Sequence, residues 1–238
     1  MEKLESILKN DMHPQVIRGV LFDMDGTLFD TERLYRRVWY ELQPTRGYVI
    51  TDEMLDQMRG AGLTKSTAVF EAVNPNHKYP VEREIRMQRA REIIEKEGCP
   101  KKPGLDETIA WLQEKEIKTA IGSSSMRKQV LHYLSTVHME DCFNAIIGGD
   151  MVEHGKPEPD IFRLCAETLG LRPEECVVVE DSANGLRAGH AAGCYVIGIP
   201  DMNDLAPYRE LCDAQLSSLD QLIGWIEAKN LEISQKTD

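Results

Sequence analysis

The chain has 238 residues, and its 28 Lys and Arg against 40 Asp and Glu give a formal net charge of −12 at pH 7. That length accommodates one well-buried α/β core and a smaller accessory domain, while the acidic balance argues against a general nucleic-acid surface. No apolar run approaches a membrane span, Met1–Asn10 carries Glu2, Lys3, Glu5 and Lys9 in place of a signal-peptide core, and the six cysteines are scattered without a C-x-x-C pattern, so the expectation is a cytoplasmic, monomeric protein with reduced thiols.

Met1–Gln15 reads as an added helix or a loose arm. The first strand is predicted over Val16–Phe22, and it runs into Asp23-Met24-Asp25-Gly26-Thr27-Leu28-Phe29-Asp30-Thr31-Glu32. Side chains alternate along a strand, so Asp23 and Asp25 share a face, and a tight turn at Gly26 can gather both carboxylates around one reacting atom. Carboxylates held that closely favour a shared proton or a hard cation such as Mg2+. An Asx-rich turn closing the strand is the plainer reading of the same string.

From about Arg33 to Gly98 strand signals fade and helical composition dominates. Leu34, Val38, Trp39 and Leu42 mark one helix face, Asn74-Pro75-Asn76 interrupts the pattern, and Val81–Lys96 is a longer charged helix. Gly98-Cys99-Pro100-Lys101-Lys102-Pro103-Gly104 reads as a hinge back to the core.

Helices are predicted over Leu105–Glu114, Met126–Val137, Ile161–Leu169 and Leu186–Ala192. The intervening strands are Lys118–Gly122, Ala145–Ile147, Cys176–Val179 and Tyr195–Ile199. The second strand leads into Ser123-Ser124-Ser125, whose hydroxyls and N–H groups can hold phosphate at a helix start or simply cap that helix. Gly155-Lys156-Pro157-Glu158-Pro159-Asp160 fixes a lysine on a proline-stiffened loop, as a neutralising ammonium or a solvated surface charge. Cys176-Val177-Val178-Val179 ends in Glu180-Asp181-Ser182-Ala183-Asn184-Gly185, two acids that surface decoration hardly explains after a fully apolar strand. The histidines lack ligand-like pairing, and only His154, two residues before Lys156, is kept as a site candidate. Alternating strands and helices predict a parallel sheet covered on both faces, and all four polar segments follow strands, where open α/β sheets gather their ligands.

With these four segments in this order, the chain resembles the haloacid dehalogenase superfamily of phosphohydrolases and phosphomutases over about residues 16–200. Asp23-Met24-Asp25-Gly26-Thr27 is similar to that family's first motif, Ser123 to its second, Lys156 with Pro157 to its third, and Glu180-Asp181 to its fourth. Asp30-Thr31-Glu32 and Glu180-Asp181-Ser182 resemble the branch that contains beta-phosphoglucomutase and small sugar-phosphate phosphatases. Asp25, absent from the dehalogenating relatives, points to phosphoryl transfer. The resemblance implies a Rossmann-like α/β core of residues 1–32 and 99–238, with a helical cap of residues 33–98 inserted after the first motif.

It further implies Asp23 as nucleophile and Asp25 as acid and base, with Ser123, Ser124 and Lys156 cradling phosphate and Thr27 fixing the first turn. Mg2+ is expected on Asp23, Asp181 and the Asp25 carbonyl, with Glu180 binding directly or through water. Asp30, Glu32 and Asn184 are expected to support the site from outside. Tyr35 and Arg59 are the candidates for substrate selection, each equally readable as packing or solvated surface. The beta-phosphoglucomutase pattern has a histidine where this chain has Tyr35, and a basic–Gly–x–x–basic loop matched by Arg59 and Gly60 but ending in Leu63. A hydrolase of a small phosphorylated metabolite, such as a sugar or polyol phosphate, is therefore expected over a mutase, although Lys65 or another cap cation can replace the missing charge. A non-catalytic phosphometabolite-binding protein is the reading from a different class, and the intact set of acids argues against it.

Overall fold

The computed structural model describes residues 16–58, 63–202 and 204–237. The expectations for Met1–Gln15 and for Arg59 and Gly60 lie outside the described residues. The chain divides into two compact units, one made of residues up to Phe29 and from Lys101 onward, the other of Asp30–Pro100.

In chain order β1 is Gly19–Phe22, and the second unit follows with α1 (Thr31–Arg46), α2 (Asp52–Met58), α3 (Leu63–Val73) and α4 (Tyr79–Glu97). The first unit resumes with α5 (Leu105–Glu114), β2 (Lys118–Ser123), α6 (Arg127–Ser135), β3 (Ala145–Gly148) and α7 (Asp160–Leu169). It closes with β4 (Cys176–Glu180), α8 (Ala183–Ala192), β5 (Tyr195–Gly198), β6 (Ala214–Gln215) and α9 (Gln221–Thr237). The strands form one sheet in the order β3-β2-β1-β4-β5-β6, every neighbouring pair parallel.

The central strands are apolar on both faces because both are covered. Val20, Leu21 and Phe22 of β1 and Val177, Val178 and Val179 of β4 are fully buried. The helix α7 buries Ile161, Phe162, Cys165, Ala166 and Leu169, a helical spacing that turns one stripe onto β2, β3 and β1. Because β1 has β2 on one side and β4 on the other, chain direction across the sheet reverses at β1. Loops leaving these three strands therefore diverge and open a crevice at their carboxyl ends.

The structure departs from the predicted boundaries in ways that matter for the site. β1 begins at Gly19, not Val16, since Val16 and Arg18 are exposed and precede the ladder. β2 and β4 each run one residue further than expected, carrying Ser123 and Glu180 into the strand ends. α8 starts at Ala183, three residues before the expected Leu186, because Ser182 Oγ accepts the Gly185 N–H as an N-cap. β6 and α9 were not expected. β6 is only two residues long, below what periodicity can register.

The unit Asp30–Pro100 has its own aromatic core. Trp39 packs against Tyr48, Phe70 and Tyr79 with ring centroids 5.4, 5.5 and 6.2 Å away. Buried Asn74, at the predicted break after α3, clamps the connection between α1 and α2: its Nδ2 donates to Val49 O (2.9 Å) and its Oδ1 accepts from Val49 N (2.6 Å). Among the described residues no helix is long and apolar enough to cross a membrane.

Candidate active site

The site begins where β1 ends. Asp23 N–H continues the ladder by donating to Val179 O at 3.0 Å, which holds the Asp23 carboxylate beside the end of β4. The chain then folds back through Gly26 N–H to Phe29 O (2.8 Å) and through Leu28 and Phe29 N–H to Met24 O (both 3.0 Å). Gly26 has φ +88°, and a Cβ built there would lie 2.4 Å from Asp181 Oδ2. Glycine is thus required both by the turn and by the approach of the loop after β4.

At the end of β2, Ser123 is buried and its Oγ accepts the Ser125 N–H at 3.1 Å. Ser125 Oγ donates to Asp25 Oδ2 at 3.0 Å. The loops after β1 and β2 are therefore joined through the second aspartate, which is only half-buried. Ser124 is exposed on the same loop.

Lys156 ties the other two loops together. Its Nζ donates to Asp23 Oδ1 at 2.5 Å and to Glu180 Oε1 at 2.6 Å, and sits 4.8 Å from the centroid of the Phe162 ring. The Lys156 side chain is 5 % exposed, so a long flexible side chain is held at one point by two charges and an aromatic face. Glu180 is fully engaged: Oε2 accepts from Asp181 N (3.0 Å), Ser182 N (3.0 Å) and Ser182 Oγ (2.9 Å). A Cβ at Gly185 would fall 1.7 Å from Glu180 Oε1, so the first turn of α8 closes directly over this carboxylate.

Burial pushes the Asp23 carboxyl up to about 7, with Lys156 opposing and Glu180 and Asp25 adding to the rise. Burial also drives Asp181 well above the usual carboxylate range, reinforced by Glu180, Asp23 and Asp201. Lys156 is held above its ordinary value: burial works against its charge, but Asp23 and Glu180 outweigh it. One ammonium faces three buried carboxyl groups, and full ionisation of all three would leave an excess of negative charge in a low-dielectric pocket, which calls for protons or a further cation. Asp23, Glu180 and Asp181 each bring an oxygen within 4.8 Å of the others, and an all-oxygen set of this kind fits a hard divalent cation.

Of the residues singled out in the sequence, Asp23, Asp25, Ser123, Lys156, Glu180 and Asp181 come together here in two linked groups. The Asp25 side chain is not in the acidic cluster; it faces the serine loop. His154 is exposed, with Nδ1 3.1 Å from Asp160 Oδ2. Thr27 is buried but its Oγ1 has no partner, so the turn is held by backbone bonds and not, as expected, by this side chain. Asp30 pairs with Arg33 and Asn184 accepts from Arg187. Tyr35 is buried in the helical unit beneath the Arg86 guanidinium. Ser125 and Ser182 take direct parts that were not assigned to them, although both lie in the quoted strings. Lys102 and Asp201 form a buried ion pair at 2.7 Å that no local pattern announces, since 99 residues separate them.

A model of the family described as haloacid dehalogenase-like hydrolase matches residues 17–193. Hexitol phosphatase B of Escherichia coli is 32% identical over 218 residues, covering 88% of this chain and 96% of that protein. A phosphorylated carbohydrates phosphatase of Thermotoga maritima is 30% identical over 181 residues, covering 74% and 82%. The crystal structure of a putative beta-phosphoglucomutase from Thermotoga maritima superimposes with a TM-score of 0.77 at 26% identity, covering 89% of this chain and 99% of that one.

Proposed function

The chain belongs to the haloacid dehalogenase-like hydrolases, and we propose that it is a Mg2+-dependent phosphatase that hydrolyses the phosphate monoester of a small sugar or polyol through an aspartyl-phosphate. The observation that carries this reading is the Asp23–Lys156–Glu180 chain of contacts at the ends of β1 and β4, with Asp181 beside it. The names of the hexitol and carbohydrate phosphatases support the substrate class.

Asp23 attacks phosphorus; the P–O bond to the alcohol breaks and its electron pair leaves with the alkoxide, which takes a proton from Asp25. In the second half Asp25 takes a proton from water, which attacks phosphorus and returns Asp23 as a free carboxylate. An acid placed beside the scissile bond serves both halves. Ser125, donating to Asp25, keeps that carboxyl turned toward the serine loop. Ser123, the Ser124 N–H and Lys156 hold the phosphoryl oxygens. Asp23, Asp181 and the Asp25 carbonyl would hold a divalent cation, with Glu180 binding directly or through water, and that cation would supply positive charge to offset repulsion between an anionic nucleophile and an anionic ester.

A phosphosugar mutase is the second reading, favoured by the similarity to the putative beta-phosphoglucomutase. Leu63 in place of the second basic residue of the beta-phosphoglucomutase pattern, and Tyr35 in place of its histidine, favour water as the final acceptor. Release of inorganic phosphate from sorbitol 6-phosphate and p-nitrophenyl phosphate, with EDTA and with Mg2+ restored, tests the hydrolase. Undiminished turnover in excess EDTA removes the metal from the mechanism, and no turnover of any ester favours a phosphometabolite-binding protein. Rapid conversion of beta-glucose 1-phosphate to glucose 6-phosphate, with catalytic glucose 1,6-bisphosphate and little free phosphate, establishes the mutase instead.

A further inference from the structure

The sheet unit holds a second lysine–carboxylate pair that the mechanism does not use. Lys102 Nζ donates to Asp201 Oδ1 at 2.7 Å, and the two side chains are 11 % and 0 % exposed. Backbone bonds anchor both residues beside the candidate site. Lys102 N–H donates to Leu28 O, in the loop after β1, at 2.9 Å; Ile199 N–H, two residues before Asp201, donates to Glu180 O, at the end of β4, at 2.8 Å. In the sheet order β1-β4-β5 the pair therefore reaches from the β1 loop to the β5 loop across the end of β4, where Asp181 emerges. Asp201 lies outside the cluster of Asp23, Glu180 and Asp181. It is nevertheless among the charges that raise the Asp181 carboxyl, and Lys156, not Lys102, is the cation that opposes them.

A buried ion pair contributes little net stability, because desolvation of both charges offsets their attraction. Its field is another matter, since a fixed charge in low-dielectric surroundings acts strongly on its neighbours. Lys156 is shared by Asp23 and Glu180, and among the described residues no ammonium pairs with Asp181. The carboxylate of the Lys102–Asp201 pair is the member that bears on Asp181, so the pair presents a net negative potential there. A doubly charged cation responds to such a potential more strongly than a proton or a single ammonium does.

We propose that Asp201 is a positioning residue of the cation site, strengthening the hold of Asp181 on a divalent cation through its charge and without becoming a ligand, while Lys102 is the fixed counter-charge that moderates it. This rests on the cation of the phosphatase reading above and not on turnover.

Cation binding without substrate tests this: Mn2+ is titrated into the protein and followed by electron paramagnetic resonance, with Mg2+ as competitor, at about pH 8, above the ordinary range of carboxylates. Asp201→Asn is expected to weaken binding by roughly fivefold or more and Lys102→Met to tighten it by roughly twofold or more, with the double variant between Asp201→Asn and the parent. A merely structural pair would weaken binding in every variant. Weaker binding by Lys102→Met, or unchanged affinity throughout, therefore overturns the proposal. Should Lys102→Met fail to fold by circular dichroism, the double variant decides, because binding no better than that of Asp201→Asn refutes the opposition of the two charges. A loss for Asp201→Asn as large as that for Asp181→Asn makes Asp201 a ligand and overturns its positioning role. A parent that binds Mn2+ while the expected order fails leaves the phosphatase reading standing, whereas a parent that binds neither cation removes the metal from that reading and refutes the proposal with it.

Discussion

At the residue scale the two aspartates of the first loop are neighbours in sequence with unlike surroundings. Asp23 is enclosed by Lys156 and the acidic cluster, whereas Asp25 is half-buried and faces Ser125. Buried and fixed against Lys156, Asp23 suits attack; Asp25, more open and held by a hydroxyl, suits proton transfer. Asp23→Asn is expected to keep the fold, read by circular dichroism, and to lower kcat by roughly three orders of magnitude or more, because an amide cannot form the acyl phosphate. Residual activity within tenfold of the parent excludes Asp23 as nucleophile. Asp25→Asn is expected to slow alkyl phosphates by roughly 10²–10⁴ and p-nitrophenyl phosphate by less, since a good leaving group needs little protonation. Identical losses for both ester classes would make Asp25 structural.

At the element scale the strand ends decide what the loops can do. The Ser182 cap on α8 and the four contacts on Glu180 lock the loop after β4, and Gly26 and Gly185 admit the carboxylates that press against them. In the helical unit a corresponding lock joins the end of α1 to the start of α4. Arg46 Nε and Nη2 each donate to Glu82 at 2.9 Å, and His77 Nδ1 lies 3.1 Å from Glu82 Oε1. The Arg46 hydrogen bonds hold Glu82 below its ordinary value of 4.5, against the upward pull of burial. A depressed carboxylate contributes stability that is present above that ordinary value and is lost as pH falls through the lower folded value. Glu82→Gln is therefore expected to remove the fraction of a proton, at most one, that this group takes up on acid unfolding, flattening stability against pH below 4.5. Denaturant titrations from pH 3 to 6 measure this, and parallel curves for parent and variant would show that the contact is not retained in solution.

For the whole molecule, the chain leaves and re-enters the sheet unit at adjacent points. Phe29 and Lys101 form an antiparallel bridge, and Lys102 N–H donates to Leu28 O at 2.9 Å. The joins at 29/30 and 100/101 lie three and two residues from those expected at 32/33 and 98/99, and residues 30–32 and 99–100 go with the helical unit, whose two ends pair through Asp30 N–H to Pro100 O at 2.8 Å. A short turn joining Phe29 to Lys101 can therefore replace residues 30–100. The resulting protein is expected to retain hydrolysis of p-nitrophenyl phosphate within roughly tenfold while losing its ranking of sugar phosphates, as remote binding contacts set specificity more than bond cleavage. An unchanged ranking in a folded protein of this kind would leave the helical unit without a part in selection.

What the sequence by itself determined is local and periodic. Alternating apolar runs marked the five longer strands, and the four polar strings after them marked the candidate site, because each string is short and bound to the strand that precedes it. Strand order, the Lys156 bridge and the Ser125–Asp25 contact were decided only by the tertiary structure. Ser125 and Asp25 are 100 residues apart and Lys156 and Asp23 are 133 apart, so nothing in either neighbourhood specifies the other. The stacking of the Arg86 guanidinium on Tyr35 and Trp39 of α1 is equally hidden on the sequence, where Arg86 is one of several charges along α4, because which rings a side chain meets is a property of packing and not of the residue.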